Sequence, residues 1–265
     1  PLLLISADDG TSYYKPNLSK ALAMGKDAAA LAQFTAEQMA ETLNAQIRVN
    51  SRVEAIDPAA KTIQVDGETL PYASLVLATG AEPIRLGLEG DAANEVISVN
   101  NLADYAGFRE RLADGSRVLL IGAGLIGCEF ANDLAAAGHQ VTAVDLAQWP
   151  LPQLLPQACG GALQGGLEGL GVQFRLQQSV AAVKTAGKAY QVTFSNGDSA
   201  EFDLVLSAVG LRPHSALAQA AGLRCERGVV VDDHLRSSDP NIYALGDVAQ
   251  IAGRLMPYIL PIAHG

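Results

Sequence analysis

Aromatic side chains are scarce in this 265-residue chain: Phe, Tyr and Trp together make up 5%, with a single Trp. Its interior must therefore be built from aliphatic and small residues, and hydrophobic residues at 49% are ample for that. Ala, Gly, Leu and Val dominate, a mix that suits α/β layers in which helices lie close on a sheet. With charged residues at 17% the composition is globular and does not match a disordered chain. Positive charge is also short. The formal net charge of −10 excludes the basic face that nucleic acid requires, and it gives no attraction to an anionic membrane. No apolar run approaches the length of a membrane span, and no signal-peptide pattern opens the sequence, so no membrane partner is expected. Cysteine is rare: Cys128, Cys159 and Cys225, widely spaced and without a CxxC. That disfavours a disulfide framework or a metal site and favours a reduced, cytoplasmic compartment.

What is present is order of the βαβ kind. Arg117–Ile121 reads as a short buried strand, Cys128–Ala137 as a helix ended by Gly138, and Gln140–Asp145 as the next strand. Val172–Leu176, Val180–Lys184 and Tyr190–Phe194 alternate as strands, Asn196-Gly197 signals a hairpin, and Asp203–Gly210 reads as a buried parallel strand. The same succession occurs earlier. Leu2–Ser6 is a strand ending near Asp8, Asp27–Leu43 is helical by spacing, and Ile47–Ile56 and Lys61–Val65 are strands joined through a Pro58 turn. Asp66-Gly67 makes a hairpin, and Ser74–Pro83 matches Leu204–Pro213 with one residue inserted. We read this as duplication of a whole domain. In the second copy a glycine motif precedes Asp145; if Asp8 is the counterpart acid, the first copy's motif would fall before Pro1. The expectation is a fragment of a longer protein, supported by an ending at Ala263-His264-Gly265 just inside an apolar run.

The motif itself is Gly122-Ala123-Gly124-Leu125-Ile126-Gly127, with a strand before it, a helix after it and an acid closing the next strand. Gly122 permits the tight turn, Gly124 lets backbone approach a pyrophosphate, and Gly127 lets helix pack on strand. Val118–Asp145 is therefore read as a dinucleotide site, with Asp145 on a ribose 2′-OH. No Lys or Arg follows through Gln148 to neutralise a 2′-phosphate, so NADH is preferred over NADPH. Glu129, in the first turn of the helix, is a dipole carboxylate or a group close to the nicotinamide; spacing alone leaves both open. Asn241–Asp247 reads as a strand, then Gly246 for close backbone approach, then Asp247 at the carboxyl end, where α/β sheets place ligands or where an N-cap sits.

These words resemble the FAD-dependent pyridine-nucleotide reductases that serve rubredoxin and ferredoxin partners. They are Ala7–Gly10, Ser12–Ser19, Leu77–Pro83, Gly122–Glu129, Ser207–Pro213 and Tyr243–Asp247, in the family's order along the chain. The resemblance implies an α/β fold of two Rossmann-like FAD/NAD(P)-binding domains (three-layer ββα), the NAD domain inserted into the FAD domain. The implied boundaries are 1–98 and 217–265 for FAD and 99–216 for NAD. It also implies roles. Asp8, or Asp9 in its place, takes the FAD ribose, and Lys15 is the basic residue beside the flavin, with Pro16 next to it. Val53 presents backbone to adenine. Ala78-Thr79-Gly80 and Arg85 contact FAD, and Asp247 binds the ribityl chain. Glu129 lies near the nicotinamide, where with Lys15 it is the catalytic candidate. Val209-Gly210 closes on NAD beside Leu125 and Ile126. The family's N-terminal glycine motif and C-terminal domain have no counterpart in the sequence.

Related flavoproteins divide by the thiols near the flavin, and residues 1–127 contain no cysteine. Electrons leaving FAD then need an external acceptor, and a one-electron metalloprotein suits a flavin that takes a hydride and releases electrons singly. The implied activity is NADH to FAD to rubredoxin. The alternatives are the ferredoxin reductase component of an oxygenase or nitrite reductase-like system and, in another class, a redox-responsive interaction protein that binds FAD and NADH with little turnover.

Overall fold

The computed structural model describes residues 1–255, so the terminal run read as apolar lies outside the described residues. The chain forms two compact units, neither of them continuous. The first comprises Pro1–Ser12, Phe34–Glu82 and the described residues from Leu211 on; the second comprises Tyr13–Gln33 and Pro83–Gly210. These limits differ from the expected breaks after 98 and 216. Residues 83–98 belong with the second unit because backbone holds them there: Glu89 N–H donates to Ala181 O, Val183 N–H to Glu89 O, and Ile97 N–H to Val205 O. Tyr13–Gln33 joins the same unit, where the Tyr105 hydroxyl donates to Lys26 O at 2.9 Å.

The second unit is a parallel sheet in the order Gln173–Leu176, Gln140–Asp145, Arg117–Ile121, Leu204–Ser207. Val118, Leu119 and Leu120 are fully buried, as a strand covered on both faces must be, which explains the unbroken apolar run. On one face lie helix Leu125–Ala136, through Phe130 and Leu134, and helix Leu102–Arg111, through Tyr105 and Phe108. Phe108 meets Phe130 edge to face at 5.7 Å. On the other face lies the antiparallel meander Val180–Ala186, Ala189–Phe194, Ser199–Phe202, through Val183, Val192 and Phe194. Arg117 also staples its strand to the next: Nη2 donates to Asp203 Oδ1 at 2.7 Å and the backbone N–H to Oδ2 at 2.8 Å. Gly138 ends the motif helix at φ 88°, with His139 N–H on Leu134 O. That helix starts at Leu125, not Cys128, because Gly124 is already its extended N-cap.

The first unit repeats the plan. Leu2–Ile5 runs parallel to Ala45–Arg48, and Leu75–Leu77 parallel to Ile242–Ala244. Val53–Asp57, Thr62–Val65 and Glu68–Pro71 form its meander, turning at Asp66-Gly67 with both φ values positive. Ile56, Ile63, Val65, Leu77, Ile242 and Val248 make its core. The duplication extends to a register shift at the first strand of each meander, Val53/Ala55 in one and Val180/Ala182 in the other.

Two elements read from spacing are broken. The expected helix Asp27–Leu43 is Ala28–Leu31 and Ala36–Leu43, with Ala32–Phe34 extended between them. Thr35 and Gln38 form a capping box that starts the second helix afresh. The expected strand Ile47–Ile56 is two, Ala45–Arg48 and Val53–Asp57, because the chain turns at Asn50, φ 49°.

Candidate nucleotide and redox site

In the second unit the glycine motif is shaped by contacts at two of its glycines and left open at the third. A Cβ on Gly127 would lie 2.0 Å from Gly122 O, so helix and turn meet at a distance only glycine allows. Gly122 has φ 109°, and a Cβ there would lie 2.7 Å from Ala208 O and 3.3 Å from Val209 N. The turn thus faces the Val209-Gly210 loop. Gly124 has ordinary dihedrals, φ −73° and ψ −173°, and a methyl group there would meet nothing within 4 Å. Neither strain nor packing explains that glycine, and the space over it is open to a ligand. The helix behind it carries no side-chain cap, so the N–H groups of Leu125, Ile126 and Gly127 and the positive end of a twelve-residue helix face the opening.

Asp145 closes the neighbouring strand against this turn. Its Oδ2 accepts from Ala123 N–H at 2.6 Å and Oδ1 from Ala147 N–H at 2.8 Å. A carboxylate has about four acceptor positions, so room remains for ribose hydroxyls. The residues after it are Leu146, Ala147 and Gln148, none of them cationic. The donor set fits a dinucleotide without a 2′-phosphate. Cys128 sits behind the motif, and its thiol is pushed up to about 11 by burial, with Asp145 and Glu129 adding to the shift. A thiol held protonated is no relay.

Glu129 projects from the motif helix onto the end of the word Ser12–Ser19 and the lysine after it. Ser19, 6% exposed, donates its hydroxyl to Oε2, and Lys20 Nζ lies 3.3 Å from Oε1. Lys15 and Pro16, the expected pair, occupy the short 3-10 turn Lys15–Asn17 just before. One turn later Asp133, on the same helix as Glu129, accepts backbone N–H groups from Leu22 and Ala23. Lys20 immediately follows the word Ser12–Ser19, so a cation was in plain sight. Its partner, 109 residues further on (129 − 20), was not. Arg85 is exposed in this unit.

In the first unit Asp8 repeats the posture of Asp145. Its carboxylate accepts from the N–H two residues on (Gly10 at 3.0 Å), as Asp145 does from Ala147. Its carbonyl accepts from Asn50 N–H at 2.7 Å, as that of Asp145 does from Gln178 N–H at 3.1 Å. Asp9 is turned to Thr11 N–H, which holds its carboxyl below the usual range. Val53 opens the meander just after Asn50. Ala78-Thr79-Gly80 and Gly246-Asp247 leave adjacent parallel strands at their carboxyl ends, joined where Leu245 N–H donates to Leu77 O. Thr79 Oγ1 donates to His214 O, and His214 N–H to Gly80 O. Gly246, at φ 73° with open space around it, and Gly80, at φ 68°, present bare backbone at that edge. The residues present fit the ribose and ribityl portions of a flavin nucleotide.

Two ββα units, one of them carrying an intact dinucleotide turn, define an α/β fold of the FAD/NAD-dependent reductase type. Residues 1–264 match the model of the pyridine nucleotide-disulphide oxidoreductase family, and the chain belongs to that family. FAD and NADH are the cofactors of the family and of its rubredoxin-NAD(+) reductases. The chain is 44% identical over 263 residues to a rubredoxin-NAD(+) reductase of Alcanivorax borkumensis, covering 99% of this chain and 69% of that protein. It is 41% identical over 266 residues to a nitric oxide reductase FlRd-NAD(+) reductase of Aeromonas salmonicida, covering 100% of this chain and 68% of the relative. Among solved structures, putidaredoxin reductase in its covalent complex with putidaredoxin superposes with a TM-score of 0.86 at 30% identity, over 94% of this chain and 61% of that one. The chain thus spans about two thirds of the proteins it resembles. Among the described residues no helix is long and apolar enough to cross a membrane, and no group of His, Cys, Asp or Glu could hold a metal ion.

Proposed function

We propose that the protein containing this chain is a cytoplasmic NADH-dependent flavoprotein reductase that passes electrons to rubredoxin. One observation carries the reading: the open, uncapped helix start at Gly124–Gly127 with Asp145 beside it. NADH binds the second unit, its pyrophosphate at Leu125–Gly127 and its adenine ribose on Asp145. FAD binds the first unit, with its ribose on Asp8, adenine along Val53, and the remainder along Ala78-Thr79-Gly80 and Gly246-Asp247. Val209-Gly210 closes on NAD. A bound flavin supplies acceptance of hydride and release of single electrons. Glu129 orients the nicotinamide, its own carboxylate held by Ser19 and Lys20. The free, unclustered cysteines support a reducing compartment.

The 30% identity to a structure solved with putidaredoxin favours a second acceptor, a ferredoxin-type protein. One experiment separates these. Full-length protein is mixed with NADH under argon, flavin bleaching is followed by visible absorbance, and rubredoxin or a [2Fe–2S] ferredoxin is then added. Rapid reduction of rubredoxin supports the first reading and preference for ferredoxin the second. Bleaching without reoxidation by either leaves a redox-responsive binding protein. Absence of a flavin spectrum would refute all three.

A further inference from the structure

We propose that Asp133 is a positioning residue for the NADH half-reaction: its buried carboxylate fixes the Ser19–Ala23 segment so that Ser19 and Lys20 meet Glu129. The inference rests on the reading of Glu129 given above.

Asp133 is 3% exposed, on a helix whose buried face is otherwise apolar. A charge there is costly unless it is bonded, and it is bonded to one segment. Oδ2 accepts from Leu22 N–H and Oδ1 from Ala23 N–H, both at 2.9 Å. Each oxygen takes one of two successive amides, a bidentate grip that sets both position and direction of the segment. Burial raises the carboxyl above its ordinary range, and the Ala23 and Leu22 amides with Arg109 only partly offset this.

Glu129 lies four residues earlier, on the same helix face and about 6 Å along the axis. The two carboxylates therefore hold one segment at two points, Ser19-Lys20 and Leu22-Ala23. The segment has little regular structure of its own. Its bonds are turns, Lys20 N–H to Asn17 O, Gly25 N–H to Leu22 O and Lys26 N–H to Ala21 O, closed by Gly25 at φ 67°. Leu18, just before the first of these points, and Ala21, between them, are buried in the core. They keep the segment docked, while apolar contact is non-directional and leaves its register to Asp133. Loss of Asp133 would let the segment slide, and an ångström of slide suffices to part Ser19 from Glu129.

The test is a cycle in full-length, flavin-loaded protein: wild type, Asp133→Asn, Glu129→Ala and the double variant. Asn offers an NH₂ where an N–H needs an acceptor. Two quantities are read, the limiting rate of flavin bleaching at saturating NADH and amide exchange of residues 18–26 without NADH. Asp133→Asn should accelerate exchange in 18–26 and slow limiting bleaching by roughly tenfold, the scale of a misplaced orienting group. In the Glu129→Ala background Asp133→Asn should slow bleaching no further. The same slowing in both backgrounds would overturn the inference and leave Asp133 a stability residue, as would unchanged exchange. A Glu129→Ala protein that bleaches at the wild-type rate would instead remove the reading of Glu129 on which the inference rests. Should Asp133→Asn fold poorly, Asp133→Glu keeps the charge, displaces it by one methylene and carries the same expectations.

Discussion

The three glycines of the dinucleotide turn make one sharp prediction, because the structure assigns them different tasks. At Gly127 an added methyl would lie 2.0 Å from Gly122 O, against about 3.4 Å for ordinary contact. Turn and helix must separate by more than an ångström, and both are backbone, so no side chain can yield. Overpacking of this kind costs about 1–3 kcal/mol. At roughly 2–4 °C per kcal/mol for a domain of this size, Gly127→Ala should lower Tm by about 2–12 °C. At Gly124 the same methyl meets nothing within 4 Å and the dihedrals suit alanine. Gly124→Ala should therefore leave Tm nearly unchanged, since the gain of about 0.4–1 kcal/mol from restricting the unfolded chain is offset by the poorer standing of alanine at a helix N-cap. The methyl would instead stand where a pyrophosphate approaches. Loss of one charge-assisted bond, about 1.5–3 kcal/mol, weakens NADH roughly tenfold to hundredfold. Calorimetry and NADH titration of the two variants measure both quantities. A Gly124→Ala protein that binds NADH like wild type would refute the site, whatever Gly127→Ala does.

Changing Asp145 to Ser and Leu146 to Arg should raise NADPH use relative to NADH, by removing a repulsive acid and adding a cation; equal use of both by wild type would contradict the role of Asp145. Asp247→Ala should yield poorly flavinated protein through loss of about 1.5–3 kcal/mol at the flavin, whereas Glu129→Ala should stay yellow and bleach slowly in stopped flow. Arg117 holds Asp203 below the usual carboxylate range, so this pair stabilises above pH 3.8 and its contribution is lost as pH falls through the lower native value. The Tm gap between wild type and Asp203→Asn should accordingly close in acid. Cys128, with its thiol near 11, should resist a disulfide reagent at pH 8 that labels exposed Cys159 readily.

The parts legible in sequence are those whose cause is local. Gly122, Gly138, Asp66-Gly67 and Gly197 each take a positive φ that the neighbouring residues declare, and their turns stand where they were read, though the loop at Asn196-Gly197 includes Ser195 as well. The duplication was legible because whole words recur, as at Leu75–Leu77 and Leu204–Leu206. Asp27–Leu43 failed because alanine-rich spacing masks a break, though the capping pair Thr35 and Gln38 marked it. The pairing of Ser19 and Lys20 with Glu129 and the task of Asp133 were not legible. Ser19 pairs with a residue 110 positions away, and Asp133 sits amid apolar residues, where a helix reading assigns no task to a single acid. The unit boundary at residue 83 was hidden for the same reason, since backbone bonds of Glu89 and Ile97 with residues far along the chain decide it.

The interrupted path of the chain has a practical side. Tyr13–Gln33 belongs to the second unit although the residues on both sides of it belong to the first. It is held there by the Leu22 and Ala23 amides on Asp133 and by the Tyr105 hydroxyl on Lys26 O, and it lends Leu18 and Ala21 to the core. A dinucleotide domain cut out as residues 83–210 would leave the apolar surface under Leu18 and Ala21 open to water, whereas one that carries Tyr13–Gln33 through a short linker would keep it covered.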